Sequence, residues 1–139
     1  MMFRRTPLQQ YGNVKHDAQA EFASAHEKTL MLFDGAISFT GVALQAIVRS
    51  DYELKGKMIS KSIAVVNGLK DSLDMSLGEL PSNLYELYEY MAEKLFQANL
   101  TSDIEAIKEV QSLLQTVRES WAQIPSEMHH TNSSKSQKK

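Results

Sequence analysis

The segment Thr29-Leu-Met-Leu-Phe-Asp-Gly-Ala-Ile-Ser38 decides how the chain is read. At about 100° per residue, a helix puts Leu30, Phe33 and Ile37 on one face. Leu32 and Phe39 then project roughly 100° or more away from that face. Asp34 interrupts the run and argues against a membrane span. A helix that is apolar around most of its circumference is either deeply buried or awaits a covering partner. The rest of the chain has to say which.

Working outward, three Ser-x-x-Glu spacings stand before apolar-periodic runs: Ser24 with Glu27, Ser50 with Glu53, and Ser102 with Glu105. Each reads as a capping box, in which the hydroxyl accepts from an orphan N–H and the carboxylate returns the bond. A fourth start lies at Pro81 and Ser82, where Pro suits a first turn and Ser a cap. The spacing predicts four long helices, at about 24–49, 51–75, 82–98 and 103–123. Their apolar stripes are Leu30, Phe33, Ile37, Leu44 and Ile47; Ile59, Ile63, Val66, Leu69 and Leu73; Leu84, Leu87, Tyr88, Met91 and Leu95; and Ile104, Ile107, Leu114, Val117 and Trp121. Asn99 is the expected left-handed end of the third helix, and Pro125 stops the fourth. Connections of a few residues favour antiparallel neighbours. The expected fold is all-α, an antiparallel up-down four-helix bundle with an N-terminal arm or short helix. The arm covers 1–23, the bundle 24–124, and a polar tail 125–139, expected to be disordered.

The chain has 139 residues, 42% hydrophobic and 23% charged, which suits one domain with one core. No cysteine is present, so disulfide and thiolate chemistry are excluded. The N-terminus lacks the apolar core expected of a signal peptide, and no stretch approaches 18 consecutive apolar residues, so no transmembrane helix is expected. Residues 24–124 hold fourteen acids and nine bases, a net of −5, while the two ends are weakly basic. An acidic body argues against nucleic acid as a partner.

Residue patterns that carry catalytic or metal chemistry are scarce. Glu127-x-x-His130 is half of a di-iron bundle signature, single and set in a polar tail after a proline. His16 and His26 have no ligand-spaced neighbours and are expected at the surface. No nucleotide-binding glycine loop or serine-nucleophile elbow occurs. The expectation is no enzyme, no metal and no cofactor.

The faces are more informative. On the second helix Gly56, Ser60, Asn67, Asp71 and Asp74 make a polar face, and on the third Glu86, Glu89 and Glu93 do. On the first helix Leu32, Phe39, Val42, Ala43 and Ala46 lie outside the core stripe. Tyr85 and Phe96 on the third helix, and Val110 and Leu113 on the fourth, do likewise. Two readings stay open: a first helix covered within the chain, or a groove for an amphipathic partner segment. Gly35 and Gly41 each cost a helix interior about 0.8–1 kcal/mol against Ala, and close packing in either setting accounts for them.

Five stretches, Met31-Leu-Phe-Asp-Gly-Ala-Ile37, the Asp51, Lys57 and Ile59-x-Lys61 series, Leu69-Lys-Asp-Ser-Leu-Asp74, Leu87-Tyr-x-Tyr-Met91 and Ala98-Asn-Leu-x-x-Asp103, together resemble the FliS family of flagellar secretion chaperones. They run in unbroken order over about residues 11–121. Tyr11 stands where the family has an N-terminal tyrosine. Ala25 replaces the family's proline ahead of the first helix, and Leu77-Gly78-Glu79 replaces its Gly-Gly-Glu turn. The resemblance implies a cytoplasmic export chaperone. It would bind the disordered C-terminal region of flagellin, prevent premature polymerisation and deliver flagellin to the flagellar type III export apparatus. Tyr11 joins the nine off-stripe residues as the expected flagellin-binding set, and the N-terminal arm is expected to shield part of the groove. The export gate and other flagellar proteins are further expected partners, along with a weak homodimer; no membrane insertion is expected. The competing reading is a self-associating structural or regulatory bundle.

Overall fold

The computed structural model describes residues 14–124. They form four helices: α1 (Val14–Val48), α2 (Tyr52–Asp71), α3 (Glu79–Thr101) and α4 (Ile104–Ala122). A short 3-10 turn, Met75–Leu77, lies between α2 and α3. No strand occurs among the described residues. Residues Thr29–Ala122 make one compact unit. Residues 1–28 and 123–139 group apart from it, and their described part is helical over 14–28. The first helix thus begins at Val14 rather than near residue 24, and Ser24 is interior to it. Tyr11, most of the expected arm, and Glu127 with His130 lie outside the described residues.

The side-chain contacts give the topology. Asp34 meets Arg118 and the Ile37 carbonyl meets Gln111, so α1 and α4 run antiparallel. Lys70 meets Glu89 and Lys55 meets the Asn99 carbonyl, which makes α2 and α3 antiparallel. Lys61 lies over Phe39 across the α1–α2 seam, and Glu109 of α4 meets Tyr90 of α3. The circuit is up-down-up-down, with each helix beside its sequence neighbours and α4 closing on α1. Phe33 and Tyr88 approach across the middle, ring centroids 6.5 Å apart.

The two tight turns use one device, and it differs from the expected capping boxes. Ser50 and Ser102 adopt left-handed backbone, φ 59° and 54°. They close the preceding helices. The Asp51 N–H reaches back to the Ala46 carbonyl and the Ser50 N–H to the Ile47 carbonyl, the pattern that satisfies orphan carbonyls at a helix end. The Asp103 N–H likewise reaches the Ala98 carbonyl. The aspartate after each serine is the N-cap: Asp51 accepts from the Leu54 N–H at 3.1 Å and Asp103 from the Ala106 N–H at 3.2 Å. Ser102, not Asn99, is the left-handed end of α3. Pro81 sits in the first turn of α3 as expected, but the cap position belongs to Gly78, not Ser82.

The core is built around small residues of α1. Phe33, Ala36, Thr40, Ala43 and Ala46 are buried, while Leu30, Ile37, Leu44 and Ile47 are only half-buried. They pack with Ile59, Val66, Leu69, Tyr88, Met91, Leu95, Ala98, Ile107, Val110 and Leu114. Alanine at a helix contact lets backbones approach, and the larger aliphatics then fill the shoulders. Ala43, Ala46 and Val110, expected on a docking face, are therefore core residues, with relative exposures of 0%, 1% and 0%. His26, expected at the surface, is buried too, one helical turn before Leu30. The buried hydroxyls are satisfied locally: Thr40 donates to the Ala36 and Ile37 carbonyls and Ser62 to that of Met58. By length and composition, Ser24–Val48 is apolar enough to cross a membrane, and its packing against three helices shows where part of that apolarity is used.

Candidate partner-docking face

Large apolar residues are left at the surface in several places, and two rows of them flank α2. On the flank of α1 that borders α2, Leu32, Gly35, Phe39 and Val42 recur at helical spacing. Leu32 and Val42 are exposed and Phe39 is half-buried. The Lys61 ammonium sits 5.5 Å from the centre of the Phe39 ring. On the outer face of α2, Lys57, Ser60, Lys61, Ala64 and Gly68 are all exposed. A side chain added at Gly68 would meet nothing within 4 Å.

The facing flank of α3 carries the second apolar row. Tyr85, Phe96 and Leu100 are exposed, Phe96 by 52%. Lys70 lies 5.4 Å from the Tyr85 ring centre and pairs with Glu89 at 2.6 Å. Glu89 raises the Lys70 pKa through that hydrogen bond. Tyr85, Glu89 and Phe96 are four and eleven residues apart, so they share one side of α3. The α2–α3 register, set by the Lys70–Glu89 and Lys55–Asn99 contacts, puts Phe96 level with Lys61. Phe39 and Phe96 thus stand on opposite sides of Lys61, with the small residues of α2 between two apolar rows.

The other two seams are occupied by polar contacts. Across α1 and α4, Arg118 donates to both Asp34 oxygens at 2.9 and 3.4 Å. The Gln111 amide donates to the Ile37 carbonyl and lies 3.4 Å from where a Gly41 side chain would begin. Across α3 and α4, Glu109 accepts from Tyr90 at 2.6 Å and pairs with Lys94 at 3.5 Å. Glu109 raises the Tyr90 pKa, chiefly through the hydrogen bond. Exposed pairs of this kind are screened by solvent and add little to stability. Their consequence is steric and directional: a covering segment finds polar groups already engaged there.

Of the expected docking residues, the structure brings Leu32, Phe39, Val42, Tyr85 and Phe96 to one face. Ala43, Ala46 and Val110 are buried, Leu113 is half-buried on α4 away from that face, and Tyr11 is outside the described residues. Sequence reasoning missed Leu100, which follows Phe96 by one turn, and both α2 lysines. An apolar residue one turn after Phe96 was a readable signal. The value of Lys61 was not, because it depends on a ring supplied by another helix.

Relatives agree over most of the chain. A family model described as "Flagellar protein FliS" matches residues 7–128. The flagellar secretion chaperone FliS of Salmonella typhimurium is 41% identical over 125 residues, 88% of this chain and 93% of that protein. The flagellar secretion chaperone FliSB of Pseudomonas aeruginosa is 35% identical over 121 residues, 86% of this chain and 96% of that protein. The flagellar secretion chaperone FliS of Bacillus subtilis is 33% identical over 101 residues, 73% and 75% of the two chains.

Proposed function

The chain belongs to the FliS family, and from that premise we propose that it is a flagellar export chaperone whose client is the disordered C-terminal segment of flagellin. The observation that carries the reading is the pair of apolar rows flanking α2, with Phe39 on one side and Phe96 on the other. A segment that folds as an amphipathic helix would bury those rows along with its own apolar face. Ordering the segment costs free energy, which the buried apolar area has to exceed. While seated, the segment is withheld from the contacts it makes in the filament, so premature polymerisation stops. The same reading places the protein in the cytoplasm and makes the export apparatus its destination. Binding and release suffice for this role, and no bond is made or broken.

Two substitutions test it. Phe39→Glu and Phe96→Glu each replace a ring of the covered surface by a carboxylate, which forfeits the ring's apolar burial and, at Phe96, leaves an unpaired charge that is costly to cover. Titration calorimetry with a flagellin C-terminal peptide should show at least a tenfold loss of affinity for each, about 1.4 kcal/mol. Melting followed by circular dichroism should change little for Phe96→Glu, because that ring is half in solvent. Unchanged affinity in both variants would reject this face. Growth of particle mass with concentration in the wild type, unaffected by peptide, would favour the self-associating bundle instead.

A further inference from the structure

We propose that the segment seated over α2 carries two carboxylates one helical turn apart, which pair with Lys57 and Lys61. This rests on the docking face just assigned and specifies the chemistry of its occupant. Within Thr29–Ala122, Lys70, Lys94, Lys108 and Arg118 each meet a carboxylate of the protein itself. Lys55 is taken by the Asn99 carbonyl and the Ser102 hydroxyl. Lys57 and Lys61 have no carboxylate within 4 Å among the described residues, although acids outnumber bases by five across 24–124. Glu53, one turn before Lys57 on the same exposed face, does not reach it. Arg49 also meets no carboxylate among the described residues, but it sits in the α1–α2 turn, off the face.

The placement of these two lysines makes their lack of partners consequential. They are one turn apart, so their β-carbons are about 5–6 Å apart on one line along α2. Phe39 and Phe96 flank that line. A helix that covers the two rings also removes water from both ammonium groups. Losing that hydration without a compensating acceptor is expensive, more so as the surroundings become apolar. A helix whose apolar stripe is bordered by acids at a four-residue spacing supplies both acceptors in register. Lys61 keeps its ring contact meanwhile, and such a contact strengthens when water is excluded.

The test uses the full chain and the purified C-terminal peptide of flagellin from the same organism, by calorimetry at low and high salt. Lys57→Gln and Lys61→Gln should each weaken binding roughly fivefold, and the double variant by more than either. Wild-type affinity should fall severalfold between low and high salt, and the double variant should lose most of that dependence. Lys61→Met, which keeps the aliphatic stem over Phe39, should behave like Lys61→Gln. Replacing the matching peptide acids by their amides should reproduce the loss in the wild type and add nothing in the double variant. Tight binding that ignores both substitutions and salt overturns this inference and leaves the chaperone reading intact. A wild-type protein that does not bind the peptide overturns both. All four variants change only exposed positions, so an unchanged melting curve certifies the fold.

Discussion

At the scale of single residues, the two Ser-Asp pairs divide their labour. Serine ends one helix in a backbone conformation that L side chains adopt at a cost of about 1–2 kcal/mol. Aspartate opens the next helix with its carboxylate. Ser50→Gly should therefore stabilise the protein by roughly 0.5 kcal/mol, the relieved strain less glycine's extra freedom in the unfolded chain. Ser102→Gly should gain less, because the Ser102 hydroxyl also accepts from Lys55 at 3.1 Å. Urea denaturation of the two variants side by side measures the difference. Tyr88 offers a separate check. Burial pushes its phenol pKa up to about 12, from an ordinary value near 10. Below pH 10 both folded and unfolded chains hold this proton, and stability is indifferent to it. Above pH 10 the unfolded chain ionises and the folded chain does not, so stability falls as pH climbs towards 12. Tyr88→Phe should flatten that part of the alkaline denaturation profile.

At the scale of helices, α1 shows how much was legible. Four helices, their antiparallel order and most of the core on α2, α3 and α4 follow from period, caps and connection length. The rotation of α1 did not. The predicted stripe ran through Leu30, Phe33, Ile37, Leu44 and Ile47, of which only Phe33 is deeply buried, whereas the other deep positions are Ala36, Thr40, Ala43 and Ala46, centred roughly 60° or more around the helix from the stripe. Hydrophobic bulk locates a seam only where the seam is wide, and a close helix contact selects small residues instead. Ala43→Leu should thus destabilise by about 1–3 kcal/mol through overpacking, read as a lowered denaturation midpoint. The cap assignments failed for a related reason. Ser50 and Asp51 are adjacent and both have an acceptor at the right reach, and only the backbone angle at Ser50 separates their roles. Leu32, Phe39, Val42, Tyr85 and Phe96 were legible as apolar residues left at the surface because they are large and off the stripe. Gly41 has an internal reason in the nearby Gln111 amide, which the sequence left open.

At the scale of the whole molecule, the chain is two helical hairpins, α1–α2 and α3–α4, each latched by its Ser-Asp pair. Lys55 ties one to the other. It is 8% exposed and donates to the Asn99 carbonyl at 2.9 Å from forty-four residues away. Lys55→Met should cost about 1.5–3 kcal/mol, the range for a charged hydrogen-bond donor, and thermal melting will show it. Contacts across α2–α3 are as local as those across α3–α4, nineteen residues separating Lys70 from Glu89 and Tyr90 from Glu109, whereas closing α4 on α1 joins Asp34 to Arg118, eighty-four residues away, and needs a longer loop to close. The apolar rows come from both hairpins, Phe39 from the first and Phe96 from the second. Neither hairpin alone carries both rows. On the proposed function, a client is held only where α1, α2 and α3 are already docked together, so a half-folded copy cannot capture a client and occupy it unproductively.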